Sequence, residues 1–163
     1  MVSKLYRAPA STSAREQGRR LPGDKLRDRP RALALLACNS SHVLIIDAAN
    51  VVGSRPTGWW RDRAKAARDL VERVSNATAA SKLPLPVVVV LEGEARKGVE
   101  EGDSGGVAIV HAPGPGDDTL VALAAAATQP VVLVSADRAL GERCRAVGAD
   151  VVGPNWLLDR LCS

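Results

Sequence analysis

Five acidic residues of this 163-residue chain stand where an apolar run ends or a helix should begin. Asp47 closes Val43-Leu44-Ile45-Ile46-Asp47, and Glu92 closes Val87-Val88-Val89-Val90-Leu91-Glu92. Asp137 follows Val131-Val132-Leu133-Val134-Ser135-Ala136, and Asp117 with Asp118 opens an expected helix after Gly114-Pro115-Gly116. In a parallel sheet the carboxyl ends of the strands share one rim, and ligands bind there. Carboxylates gathered at such a rim raise one another's pKa unless a cation neutralises them. Their placement therefore predicts a divalent-cation site and, from it, hydrolytic chemistry. Each acid also has a plainer reading. Asp117, Asp118 and Asp137 could be helix N-caps, worth about 1 kcal/mol each, and Glu92 a solvated loop residue. Asp47 is harder to set aside, because it directly follows four aliphatic residues.

The elements that must position these acids follow from periodicity. Val43–Asp47, Val87–Glu92 and Val131–Val134 are short continuous apolar runs, the pattern of buried strands. Val107–His111 reads as a weaker strand after a Gly-rich loop, and Asp150–Val152 as a short last one. Gly53, Pro56 and Gly58 mark Ala48–Gly58 as a loop. Trp60, Ala64, Ala67, Val71, Val74 and Thr78 recur at helical spacing, predicting an amphipathic helix of about five turns with Trp60 in its buried stripe. Asp117 or Asp118 can cap an Ala-rich helix ending near Thr128. Asp137 opens another, with Leu140, Cys144 and Val147 inward and Gly148 as its stop. Pro154–Leu161 closes the chain as a helix. Alternating strands and helices predict an α/β fold, a parallel sheet of about five strands flanked by helices.

Composition agrees with such a core. Hydrophobic residues make up 46% but aromatics only 2%, with no Phe, so Val, Leu, Ile and Ala must fill the interior. The basic pI of about 9.3 is uneven in origin. Residues 1–41 carry +6 of a whole-chain +4, leaving −2 for residues 42–163. That asymmetry predicts a disordered basic extension over 1–41 and a folded domain over 42–163. The extension is either dispensable or an arm for an anionic partner. Global charge thus makes no case for nucleic acid, which must rest on local clusters. Cys38, Cys144 and Cys162 are widely spaced, which fits a reducing cytoplasm better than zinc or disulfides. No run approaches the ~18 apolar residues of a membrane span. Leu35-Leu36-Ala37-Cys38 is shaped like a lipoprotein cleavage box, but its apolar stretch is shorter than the roughly 7–15 residues required.

One segment carries a family resemblance. Val43-Leu44-Ile45-Ile46-Asp47-Ala48-Ala49-Asn50-Val51-Val52-Gly53-Ser54-Arg55-Pro56 resembles the opening of NYN domains in the PIN-like nuclease superfamily, in particular the YacP-like branch and its actinobacterial relatives. Gly58-Trp59-Trp60-Arg61-Asp62-Arg63 is similar to the continuation of that opening, Gly116-Asp117-Asp118-Thr119-Leu120 to the helix-opening Asp element, and Val134-Ser135-Ala136-Asp137-Arg138-Ala139-Leu140 to its Ser-x-Asp-Arg element. The likeness spans about residues 43–160. It departs at Glu92-Gly93, where many relatives carry Asp-Gly.

The resemblance implies a PIN-like (Rossmann-like) three-layer fold and Mg²⁺- or Mn²⁺-dependent endonucleolytic cleavage of single-stranded RNA. Oxygen donors suit those ions. Asp47, Asp117 and Asp137 would be ligands, directly or through water, with Glu92 and Asp118 in support. Asn50 would orient a ligand, a water or a phosphate, or simply bond its own turn, and the Ser135 hydroxyl could orient likewise. Arg55, Arg61, Arg63 and Arg138 would bind phosphates beside the cut, although Arg61 and Arg63 could equally form a solvated helix face. Trp59 is the candidate for stacking on a base.

Two other classes compete. One is an RNA-binding or ribosome-associated module that cleaves little; the other is a small-nucleotide phosphohydrolase. Gly114-Pro115-Gly116-Asp117-Asp118-Thr119 lacks the Lys of a P-loop, no Gly-x-Gly-x-x-Gly follows the first strand, and neither a nucleophile elbow nor a His-based triad is present.

Overall fold

The computed structural model of the chain describes residues 42–84 and 86–162. The expected disordered extension over 1–41, with Cys38 and its lipoprotein-like stretch, lies outside the described residues. Six strands form one sheet: β1 (Val43–Asp47), β2 (Val87–Leu91), β3 (Gly102–Ser104), β4 (Val107–His111), β5 (Val131–Val134) and β6 (Asp150–Val152). Their order is β3-β4-β2-β1-β5-β6. Five strands are mutually parallel, as expected, while β3 pairs antiparallel with β4 at the edge. Gly105 and Gly106, at φ 60° and 82°, make this added hairpin possible. Two consecutive positive-φ residues form the tight turn that matches strand twist, so the Gly-rich loop hides a strand.

Helices cover both faces, which is why β1 and β2 are buried at every position and read as unbroken aliphatic runs. Val43, Ile45, Val88, Val90 and Leu133 point to one side, against α3 (Gly116–Ala126) and α4 (Arg138–Ala146) through Leu120, Leu123, Leu140 and Cys144. Leu44, Ile46, Val87, Val89 and Leu91 point to the other. There they meet α1 (Ala48–Gly53), α2 (Arg63–Ala79) and α5 (Pro154–Cys162) through Val51, Leu70, Val74, Leu157 and Leu158. The result is the expected three-layer α/β fold.

Several local expectations are corrected. Residues 48–53 form a short helix rather than a loop, because the Asp47 carboxylate accepts a hydrogen bond from the Asn50 N–H and caps it. Trp60 is not core but 54% exposed. Asp62 caps α2 by accepting from the Lys65 N–H, so the long helix starts at Arg63. Trp59–Arg61 becomes a separate 3₁₀ turn. Val147 is likewise exposed, although Cys144 is fully buried and Gly148 takes the left-handed conformation that ends α4. Neither Asp117 nor Asp118 caps α3, which begins at Gly116.

Candidate active site

Strand order reverses at β1: β2 and β4 lie to one side, β5 and β6 to the other. Such a switch point opens a crevice at the carboxyl ends of the two central strands. Asp47 ends β1 there, and Ser135 follows β5 directly. Asp47 is only 8% exposed. Its Oδ1 accepts from the Asn50 N–H at 3.2 Å, and its Oδ2 accepts from the Ser135 hydroxyl at 2.9 Å. The same hydroxyl oxygen accepts the Asp137 N–H at 3.1 Å. Asn50 Oδ1 accepts from the Ala136 N–H at 2.7 Å, tying α1 to the loop after β5. Asn50 therefore bonds across the switch point as well as within its own turn. Asp137 caps α4, its Oδ1 accepting from the Leu140 N–H at 2.9 Å. Chain segments far apart in sequence are thus bolted together around one carboxylate.

The remaining acids come from the β2 and α3 side. Half-buried Glu92 accepts a hydrogen bond from the Gly116 N–H through Oε2, supplying from another strand the cap that α3 lacks in its own sequence. A Cβ at Gly116 would stand 2.8 Å from that oxygen, so a larger residue there would make the Glu92 carboxylate shift. Sequence reasoning missed this role; the absence of a Ser, Thr, Asp or Asn directly before Gly116 was the available signal. Asp117 is half-buried, and Asp118 turns away to pair with Arg143 at 2.7 Å, its side chain 76% exposed.

Two of these acids, Asp47 and Asp117, have raised pKa values. Burial is the main cause of the raised pKa of Asp47, partly offset by the bonds from Ser135 and Asn50 and reinforced by the charges of Glu92 and Asp117. Asp117 is raised as well, first by burial, then by Asp137, with smaller contributions from Glu92 and Asp118 opposing the lowering by Arg143. Asp47 thus lies in the field of Glu92 and Asp117, and Asp117 in that of Asp137, Glu92 and Asp118. Among the described residues, however, no three His, Cys, Asp or Glu side chains are grouped so that they could hold an ion together.

The basic and aromatic candidates fall into separate places. Arg55, Trp59 and Arg61 line a cleft of about 290 Å³ between α1, α2 and α5. Trp59 and Arg63 also border a hollow of about 100 Å³ beside Glu92 and the start of α1, with the Arg63 guanidinium 5.3 Å from the Trp59 ring centre. Trp60 meets Trp59 edge-on, the centroids 6.2 Å apart. Arg138 is 92% exposed in its side chain and pairs with Glu142 on its own helix.

The sheet order and the three layers define the PIN-like α/β class of fold. Within that class, the chain is similar to Rae1 (YacP) from Bacillus subtilis, whose crystal structure was determined on a point mutant, with 16% identity, 73% of each chain covered and a TM-score of 0.58. At that identity the likeness is one of fold. No protein-family model and no curated protein matches the chain.

Proposed function

We propose that this protein is a metal-dependent endoribonuclease of the NYN/PIN-like type, cleaving single-stranded RNA with Mg²⁺ or Mn²⁺. The observation that carries the reading is the buried Asp47 carboxylate at the topological switch point, held by Asn50 and Ser135 within the field of Glu92 and Asp117. Burying an anion among like charges is unfavourable unless a cation joins it. The donor set fits a hard cation, since every candidate is a carboxylate oxygen. Each oxygen of Asp47 accepts one hydrogen bond and keeps acceptor capacity. Mg²⁺ commonly retains several waters and takes one or two carboxylates.

Asp47 and Asp117 are the ligands we favour, with Asp137 reached through water and Asp118 left to Arg143. A divalent ion, when bound, polarises a phosphoryl oxygen and makes a coordinated water nucleophilic. Ser135 and Asn50 position Asp47 and the loop that carries Asp137. Glu92 fixes the first turn of α3 and thereby the backbone of Asp117. The fold shared with Rae1 (YacP) agrees with the sequence resemblance to the YacP-like branch.

One observation favours the second reading, an RNA-binding module that cleaves little: the absence of three grouped ligands among the described residues. Labelled single-stranded RNA, single-stranded DNA and nucleotides incubated with Mn²⁺ or with EDTA separate the readings. A nuclease shortens the RNA only with Mn²⁺, whereas a binding module retains it intact under both conditions.

A further inference from the structure

Residues 42–163 carry a net −2, yet the 290 Å³ cleft between α1, α2 and α5 departs locally from that balance. Arg55, Arg61, Lys65 and Arg73 line it against two carboxylates, Asp62 and Asp69. Lys65 is committed to Asp69 at 2.5 Å, and Arg73 donates to the Cys162 sulfur at 3.5 Å. The guanidiniums of Arg55 and Arg61 have no partner among the described residues. Two solvated arginines beside an indole and an apolar floor, Leu70 and Leu158, make a surface for something anionic at one end and flat at the other.

Position supplies the second argument. The Trp59 ring is a wall shared by this cleft and by the smaller hollow bounded by Ala48, Ala49 and Glu92. Ala48 directly follows Asp47, so the smaller hollow adjoins the acidic rim. A chain leaving the rim along this route meets an apolar step, then an aromatic edge, then positive charge. At 290 Å³ the cleft falls just below the ~300–1,000 Å³ range of ligand pockets, room for one nucleotide unit rather than a duplex.

We infer that this cleft is the subsite for a nucleotide flanking the scissile phosphate of single-stranded RNA, with Arg55 and Arg61 on its phosphates and Trp59 against its base. The inference rests on the ribonuclease reading above. It also separates the arginines: Arg55 and Arg61 belong to this subsite, while Arg138, paired on its own helix, does not.

The test uses the full chain and a fluorescein-labelled 12-residue oligouridylate, with affinity measured in EDTA over a salt series. Arg55→Ala/Arg61→Ala weakens binding about 10-fold or more and lowers the log–log salt slope by about 1.4, the value for two lost phosphate contacts on a single strand. Trp59→Ala weakens it about 5- to 150-fold, the range for one lost stacking partner, and Trp59→Phe less so. Arg145→Ala, on the opposite face, matches wild type. With Mn²⁺, the arginine double variant raises KM for RNA and leaves kcat unchanged. The substituted arginines are exposed, and an unaltered Tm verifies folding. Wild-type affinity and salt slope in the double variant overturn the subsite, even if wild type cleaves RNA normally. Conversely, cleft-dependent binding without Mn²⁺-dependent cleavage keeps the cleft as an RNA-binding site but removes the ribonuclease reading, and with it the placing of that nucleotide beside a scissile phosphate. Failure of wild type to bind the oligonucleotide overturns the subsite outright.

Discussion

Asp47 is a buried carboxylate at the end of β1 that caps α1 and accepts the Ser135 hydroxyl. Its pKa and that of Asp117 are raised above the ordinary aspartate value of 3.8. A raised folded-state value means that the stability contributed by the neutral acid is complete below pH 3.8 and is lost as pH rises through the folded value. Without metal, then, wild type loses stability over that acidic window relative to Asp47→Asn, which keeps the shape and carries no buried charge. Thermal melts of the two proteins in EDTA across pH measure the difference. Protons compete with a cation for the same carboxylates, so cleavage should rise with pH across the acid range and then level off. Ser135→Ala removes the hydroxyl that orients Asp47 and should weaken cation affinity about 10- to 100-fold, the usual effect of losing a ligand's supporting group. Partial rescue of cleavage by excess Mn²⁺ distinguishes this from general unfolding.

At the scale of elements, Glu92 does by tertiary contact what a local N-cap does elsewhere. Glu92→Ala should destabilise the fold by about 1–2 kcal/mol through loss of the anion at the α3 N-terminus, while Glu92→Gln, which keeps an acceptor, should lose less. Urea denaturation reads both values; equal losses would show that the hydrogen bond to Gly116 contributes nothing. The strands β1, β2 and β5 were legible because burial on both faces forces continuous aliphatic runs, and the burial of Asp47 was legible because a carboxylate directly after such a run must lie close to a buried layer. The α1 helix was not, since Gly53, Pro56 and Gly58 cluster after it and its cap is the very acid already read as a strand end. Trp60 was misplaced because helical spacing continued smoothly across Asp62, whose side chain restarts the helix. The Glu92–Gly116 contact joins residues 24 apart, and no local pattern encodes it.

The whole molecule is a scaffold that brings acids from β1, β2, α3 and the β5–α4 junction to the rim of one sheet. Its core is nearly free of aromatic residues, so support for the site comes from close-packed aliphatic layers. Leu133→Ala, fully buried on β5 beneath the rim, should cost about 2–5 kcal/mol. A bound cation acts in the opposite sense. At about 100 times its Kd it should stabilise the fold by about 2.7 kcal/mol, visible as a Tm increase with Mn²⁺ that Asp47→Asn lacks. The basic cleft, assembled from residues on the loop after α1, the 3₁₀ turn and α2, exists only at this scale, which is why net charge could not reveal it.

The most direct measurement is the rate of Mn²⁺-dependent cleavage of a labelled single-stranded RNA by wild type and by Asp47→Asn, with RNA affinity measured on both proteins. The account predicts that wild type cuts the RNA and EDTA stops it, while the variant binds as tightly and does not cut. Equal cleavage by the two proteins, or wild-type cleavage that persists in EDTA, would contradict it.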